Sequence, residues 1–151
     1  MKEFAEQYLK ATQYFLDLVS VLSEDQLNLT NSEGWTPRQV IHHVADSEAQ
    51  SYARLRRLIA EPGSTIQGYD EAIWAENSTL AYRNHQIDSS LDVFKAVRQS
   101  SYELLQRIDE SLISNTGIHT ESGEYSVKDW INTYIKHPID HAKQIREIIE
   151  N

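Results

Sequence analysis

Two histidines near the end of the chain, His137 and His141, are spaced as candidate metal ligands. They stand four residues apart in the last predicted helix, so one helical turn brings both imidazoles onto the same face. The inward positions of that helix are Trp130, Tyr134, His137, His141, Ile145 and Ile148. Buried imidazole nitrogens need partners, so the pair predicts either hydrogen-bonded carboxylates or a shared metal ion. Taken alone, this spacing favours ordinary structural histidines.

A proline between the two histidines breaks a local rule of helix formation. Pro138 removes the donor that the carbonyl of Tyr134 would use, and it should kink the axis at a cost of roughly 3 kcal/mol if nothing compensates. Such a departure is typical of a site shaped for something other than stability.

A second histidine pair, His42 and His43, supplies the third candidate ligand. His43 falls in the inward stripe of its predicted helix, about one turn after Val40 and one turn before Ser47. His42 shares its side of the helix with Asp46 and is expected at the rim. The stripe therefore selects His43.

Together, His43, His137 and His141 would present three neutral imidazoles from two packed helices. Such a set leaves positions open for water on a divalent ion, which is the pattern of a catalytic rather than a structural metal site. Zinc and nickel both suit all-nitrogen ligands, and the sequence leaves the choice between them open.

Two carboxylates, Asp46 and Glu71, are the candidate catalytic groups. Asp46 follows His43 by three residues and could orient a ligand or act as a base, although a solvated helix-surface acid explains it equally well. Glu71 lies in the segment Tyr69–Glu76, which could close over a metal or could merely pack the connection. The residues assigned to the surface or to packing are Asp140, His85 and His119.

The elements that must position these residues form an all-α, four-helix bundle with a long crossover connection between helices 2 and 3. The predicted helices run from about Glu3 to Leu22, from Pro37 to about Ala60, from Ser89 to about Ile113, and from Ser126 to the C-terminus. Residues 62–88 form the crossover, with a small helix near 70–76. A polar loop is expected at 31–34, and a turn or hairpin at 114–125.

Composition narrows the classes of function. The 151 residues include no cysteine, which excludes disulfides, thiolate ligands and a cysteine nucleophile. A formal charge of -9 argues against nucleic acid and anionic membranes as partners. The chain is most simply one domain, 1–151, and without a long apolar run or signal-peptide pattern its expected location is cytoplasmic.

Three stretches in order, Gly34–Ser47, Tyr69–Glu76 and His137–Ile145, resemble the DinB/YfiT-like superfamily, in particular its YfiT-type branch. The resemblance implies a crossover four-helix bundle that is commonly a homodimer. It also implies a divalent metal held by His43, His137 and His141. Two features depart from the family pattern, because Asp140 stands where a further histidine is often found and Pro138 follows the first ligand of the last helix.

The resemblance implies a metal-centred reaction on a small electrophilic substrate. Relatives include metal-dependent hydrolases and transferases that use low-molecular-weight thiols such as bacillithiol. Because this chain has no cysteine, any thiol must come from a cosubstrate. Two alternatives remain open: a non-catalytic metal- or ligand-binding stress protein or dimerisation module, and a bundle with no metal at all.

Overall fold

Six α-helices, one 3-10 helix and three short strands make up the computed structural model, which describes residues 1–30 and 34–150. In chain order they are α1 (Lys2–Val19), α2 (Glu24–Leu27), α3 (Pro37–Ala60), β1 (Thr65–Ile66), α4 (Glu71–Glu76), α5 (Asp88–Leu105), the 3-10 helix (Glu110–Ser114), β2 (Thr116–His119), β3 (Gly123–Ser126) and α6 (Val127–Glu150). The polar loop predicted at Asn31, Ser32 and Glu33 lies outside the described residues. Over the described part of the chain, no helix has the length and apolar character needed to span a membrane.

The four long helices, α1, α3, α5 and α6, form the predicted bundle. Each of α1 and α3 packs against both α5 and α6. Contacts of His42 with Ser90 and of Glu48 with Arg98 show that α3 and α5 run parallel. The connection between them must therefore return along the bundle, which confirms the predicted crossover.

Local capping chemistry begins the two helices that carry the histidines. Thr36 and Gln39 form a reciprocal capping box at the start of α3, with Pro37 in the first turn. The backbone amide of Asp129 donates to the Ser126 hydroxyl, and the Asp129 carboxylate accepts from the Ser126 amide, at the start of α6. Both starts agree with the sequence prediction.

Two predicted helix ends extend too far. The first helix ends at Val19 rather than Leu22, and the third ends at Leu105 rather than Ile113. After Leu105 the chain forms a separate 3-10 turn, because Asp109 caps it by accepting from the amide of Ser111. Ile108 still packs in the core, so the apolar spacing continues after the helix has stopped.

The crossover is tied down by a small sheet that the sequence analysis did not predict. The predicted hairpin forms as β2 and β3, and β1 adds to it in parallel, giving the order β1-β2-β3. Gly117 permits this approach, since a Cβ there would lie 2.7 Å from the carbonyl oxygen of Ser64. The Gly68 amide also donates to the Thr120 hydroxyl at 2.9 Å, which fixes the chain just before Tyr69.

A polar layer divides the core along its length. One apolar cluster includes Phe15, Phe94 and Ile145, and the other includes Tyr8 and Trp130. The positions between them on α3, α5 and α6 form the polar layer: Ser47, Glu48, Ser51, Arg98, Ser101, His137 and His141. The histidine pair therefore lies in the middle of the bundle.

Candidate metal centre

The structure brings together the three histidines that the sequence selected. Ligand atoms of His43 on α3 and of His137 and His141 on α6 all lie within 4.8 Å of one another. The ring centroids are 5.5 Å apart for His43 and His137, 4.8 Å for His43 and His141, and 4.5 Å for His137 and His141. This separation allows one ion to be shared, and the role of the three residues as ligands stays a prediction.

Two of the three imidazoles make a hydrogen bond at Nδ1, and the Nδ1 atom of His137 makes none but has a carboxylate nearby. The pairs are His43 with the Tyr69 hydroxyl at 3.3 Å, His137 with Glu48 Oε1 at 3.8 Å, and His141 with Gln144 Oε1 at 2.8 Å. An acceptor at Nδ1 sets the tautomer in which that nitrogen carries the proton, and the amide oxygen of Gln144 is such an acceptor for His141. The Nε2 atom of His141 is then the lone-pair donor available to a metal, and the same holds for His43 when the Tyr69 hydroxyl accepts from its Nδ1–H.

The Nε2 atom of His43 is the strongest sign that a cation fits here. It is buried and makes no hydrogen bond with the residues that the structure describes, and the nearest charged group is the exposed carboxylate of Glu71 at 3.4 Å. A buried polar atom without a partner costs free energy, so such an atom calls for an explanation. A divalent ion between three imidazoles supplies one, and the nitrogen donors suit zinc or nickel.

The pKa values of two of the histidines favour the neutral form that binds a metal ion. Burial, followed by the nearby His141 and His137, lowers the pKa of His43 to about 3. Burial, followed by the nearby His137, lowers the pKa of His141 to about 4. Both imidazoles are therefore neutral at neutral pH, and neutral imidazole is the form that binds metal.

These shifts predict an acid-sensitive fold for the metal-free protein. Below pH 6.5, His43 and His141 bind protons in the unfolded chain but stay neutral in the folded chain. The contribution of these two residues to the free energy of unfolding is therefore fully present above pH 6.5 and is lost as the pH falls toward about 4. Urea titrations of chelator-treated protein between pH 6.5 and about 5, above the carboxylate range, should show the loss. A His141→Gln variant should lose less over this interval, and an equal loss would contradict the prediction.

A small cleft of about 220 Å³ opens onto the histidines. Its lining residues are Trp35, His43, Glu71, His141 and Gln144. The indole of Trp35 meets the His43 ring edge-on at 5.9 Å, and Glu71 Oε2 lies 3.4 Å from His43 Nε2. The Glu71 side chain is 64% exposed, so a solvated carboxylate stands at the mouth of the cleft.

The short helix α4 places part of the predicted segment 69–76 at this mouth. Asp70 caps α4 by accepting from the amide of Ile73, which fixes the position of Glu71 in the first turn. Tyr69 packs against Trp74 with ring centroids 4.6 Å apart and directs its hydroxyl toward His43. The segment therefore contacts the histidine cluster as well as packing the crossover.

Asp46, the other candidate catalytic acid, is engaged elsewhere. Its carboxylate accepts a hydrogen bond from the hydroxyl of Tyr82, in the crossover. Within the described ranges it makes neither a hydrogen bond nor an ion pair with His43, His137 or His141. Asp140 is also outside the cluster, where it pairs with Lys136 at the surface as expected.

The prediction that His42 lies at the rim is wrong. Its side chain is 3% exposed, its Nδ1 atom lies 2.8 Å from the Ser90 hydroxyl, and its Nε2 atom lies 3.1 Å from the carbonyl oxygen of His85. The crossover passes over this side of α3 and buries it. The His85 ring stacks on His42, with ring centroids 6.0 Å apart, and stays out of the metal cluster as predicted.

A buried ion pair behind the histidines was missed from the sequence. Glu48 and Arg98 are 0% and 1% exposed, and Arg98 Nη1 donates to Glu48 Oε1 at 2.9 Å. Arg98 is one of the buried residues of α5, although arginine is seldom expected on an inward face. The signal was present, because Phe94, Arg98, Ser101 and Leu105 share one face of α5.

Arg98 joins four helices through this pair and three further contacts. It donates to the carbonyl of Tyr8 at 2.8 Å, to the hydroxyl of Thr12 at 2.7 Å and to the carbonyl of Tyr134 at 2.7 Å. Burial alone would raise the pKa of Glu48, but Arg98 and then His137 lower it below its ordinary value. The carboxylate is therefore ionised beside the histidine cluster.

Comparison with known sequences agrees with this geometry. A sequence model described as the DinB superfamily matches residues 7–145. An Oceanobacillus iheyensis protein named "Putative metal-dependent hydrolase" is 37% identical over 128 residues, covering 84% of this chain and 73% of that protein. A second protein of that organism with the same description is 25% identical over 150 residues, covering 99% and 85%.

Comparison with solved structures confirms the fold. YfiT from Bacillus subtilis, described as a probable metal-dependent hydrolase with an unusual four-helix bundle topology, matches with a TM-score of 0.88. The match covers 98% of this chain and 85% of that chain at 23% sequence identity. At this identity the likeness establishes the bundle and its crossover arrangement, and not the chemistry.

Proposed function

The chain belongs to the DinB superfamily, and on this premise we propose that it is a metal-dependent enzyme that hydrolyses small electrophilic substrates. The observation that carries the proposal is the buried, unpartnered Nε2 of His43 beside His137 and His141, among the residues described, under an open cleft. The names of the Oceanobacillus relatives support a hydrolytic reaction.

In this proposal His43, His137 and His141 hold a zinc or nickel ion through Nε2. A divalent ion bound there supplies Lewis acidity and lowers the pKa of water toward neutrality. The hydroxyl of Tyr69 and the amide oxygen of Gln144 orient two of the imidazoles, because each faces an Nδ1 atom. Trp35 walls the cleft and limits the size of the substrate.

Glu71 is the proposed proton acceptor. Its carboxylate lies 3.4 Å from His43 Nε2 and is exposed to the cleft, so it can take a proton from a nucleophile that enters there. Asp46 is less suited to this role because the hydroxyl of Tyr82 already donates to its carboxylate. Asp46 instead anchors the crossover that carries Tyr82.

Substitution Glu71→Gln should lower kcat by roughly 10²- to 10⁴-fold, the usual contribution of a general base. Metal content should stay at the unmodified level, since the three histidines are intact. The matched control is Glu76→Gln at the other end of α4, where the carboxylate accepts from Arg83. Steady-state kinetics and elemental analysis of both variants test the assignment, and an unchanged kcat in Glu71→Gln would refute it.

Transfer of a low-molecular-weight thiol to the electrophile is the second candidate reaction. It is proposed from the family resemblance, and because none of the 151 residues is a cysteine, the thiol would have to come from a cosubstrate. Imidazole-bound zinc also accepts a thiolate in an open position. This proposal includes a small electrophilic substrate and a thiol cosubstrate. It also includes assembly of the chain as a homodimer.

One screen separates the reactions. Protein loaded with zinc or nickel is offered ester and amide substrates, and separately an alkylating probe such as monobromobimane with low-molecular-weight thiols. Chelator-sensitive turnover of esters or amides supports hydrolysis, and chelator-sensitive turnover only with thiols supports transfer. Metal binding without turnover in either arm would favour the non-catalytic binding protein. His141→Ala is the reference for activity that does not depend on the site.

A further inference from the structure

Glu48 is a buried carboxylate that the proposed chemistry does not use. It lies on α3, fully buried in the polar layer, and its Oε1 atom lies 2.9 Å from Arg98 Nη1 and 3.8 Å from His137 Nδ1. The other carboxylate oxygen, Oε2, accepts from the Ser51 hydroxyl at 3.1 Å. One oxygen therefore faces both the guanidinium and the imidazole.

Pro138 explains why Arg98 can hold Glu48 at this place. A proline has no N–H, so the carbonyl of Tyr134 loses its usual partner inside α6. Arg98 Nη1 donates to that carbonyl at 2.7 Å and to Glu48 at 2.9 Å. Pro138 thus frees the carbonyl of Tyr134, and this carbonyl holds Arg98 Nη1 in place. The same nitrogen then holds the carboxylate of Glu48 near His137.

We propose that Glu48, held in place by Arg98, is a positioning residue that orients His137 for metal binding. A carboxylate that accepts from Nδ1–H fixes the tautomer of an imidazole and presents the lone pair of Nε2. The Nδ1 atom of His137 is buried and makes no hydrogen bond with the residues that the structure describes, and Glu48 Oε1 lies just beyond hydrogen-bond distance at 3.8 Å, so a small movement of the ring would form the bond. This proposal rests on the proposed metal centre.

The partners of the other two histidines make Glu48 distinctive. His43 faces the neutral hydroxyl of Tyr69, and His141 faces the neutral amide of Gln144. A carboxylate raises the donor strength of an imidazole more than a neutral acceptor does, because its charge stabilises the polarised N–H. Within the part of the chain that the structure describes, His137 is the one of the three whose Nδ1 faces a charged partner.

Two substitutions separate positioning from simple neutralisation of Arg98. Glu48→Asp keeps the negative charge for Arg98 but shortens the side chain, so it cannot also reach His137. Glu48→Gln keeps the length and removes the charge. The matched control is Glu103→Gln, an exposed carboxylate on α5. Circular dichroism of each variant establishes that it is folded before metal is added.

Two readouts test the proposal in the full-length chain. Zinc affinity, measured by competition with a chromophoric chelator, should fall about 10- to 100-fold in Glu48→Asp and Glu48→Gln and stay unchanged in Glu103→Gln. Long-range ¹⁵N–¹H correlation spectra of the histidine rings should show His137 as the Nδ1–H tautomer in the unmodified protein and in Glu48→Gln, whose amide oxygen can still accept from Nδ1–H, and as a mixture in Glu48→Asp.

The outcomes distinguish this proposal from the proposed function. Unchanged zinc affinity together with an unchanged His137 tautomer in folded Glu48→Asp would overturn the positioning role and leave the metal centre standing. Failure of the unmodified protein to bind zinc or nickel would overturn the metal centre itself. In that event the tautomer comparison without metal still decides whether Glu48 orients the ring. If Glu48→Gln does not fold, Glu48→Asp carries the test.

Discussion

His141→Ala is expected to abolish stoichiometric metal binding. Unmodified protein purified without chelator should carry about one divalent ion per chain, because three imidazoles converge within 4.8 Å. Removing one of three ligands should cost more affinity than the roughly 10- to 100-fold that follows loss of a ligand's hydrogen-bond partner. Elemental analysis after gel filtration measures the content, and competition with a chelator measures the affinity.

The control for this experiment is His85→Ala. His85 is an exposed histidine on the crossover whose ring stacks on His42 and lies outside the cluster, so its variant should keep the metal. Retention of a full complement of metal by His141→Ala would refute the three-histidine site. Absence of metal from the unmodified protein, even after incubation with zinc or nickel, would favour the metal-free bundle.

Arg98→Met is expected to produce a large loss of stability. Methionine fills much of the same space, but it leaves the Glu48 carboxylate buried without its cation and frees the carbonyls of Tyr8 and Tyr134. Removing one partner of a buried ion pair typically costs about 3–5 kcal/mol. Since a domain has a total stability of about 5–15 kcal/mol, this loss should be plain in urea denaturation at 25 °C.

Two further variants serve as controls for the stability of Arg98→Met. Arg107→Met removes an exposed arginine whose contact is the backbone carbonyl of Glu103, and it should change stability by less than about 0.5 kcal/mol. Arg98→Lys keeps the charge but cannot reach all of the acceptors of the guanidinium, so its loss should be intermediate. A loss below about 1 kcal/mol in Arg98→Met would show that Arg98 does not tie the helices together.

Both predictions concern the polar layer in the middle of the bundle. Glu48 lies about one turn after His43 on α3, and its Oε1 atom lies 2.9 Å from Arg98 Nη1 on α5 and 3.8 Å from His137 Nδ1 on α6. A buried charge costs free energy unless it is paired and hydrogen-bonded, so Arg98 and Glu48 stabilise the fold only as a set. Because Glu48 also lies beside the proposed ligand His137, this set links the stability of the bundle to the proposed metal site.

Local patterns in the sequence determined where the two histidine-bearing helices begin and which histidines face inward. Capping motifs at Thr36 and Ser126 set the starts of α3 and α6, since those bonds join residues three apart. The four-residue spacing of His137 and His141 placed both on one face, and the inward stripe of α3 selected His43 over His42. These inferences depend on helical periodicity, which the sequence carries in full.

The tertiary structure decided which groups meet across helices. The crossover makes α3 and α5 parallel, and this direction alone brings Arg98 beside Glu48 and buries His42 under residues near His85. It also lays α4 across the cleft, so Glu71 approaches His43 while Asp46 turns to Tyr82. Periodicity shows that a residue faces inward but not what it faces, because the partner depends on the direction and register of a helix far away in the chain.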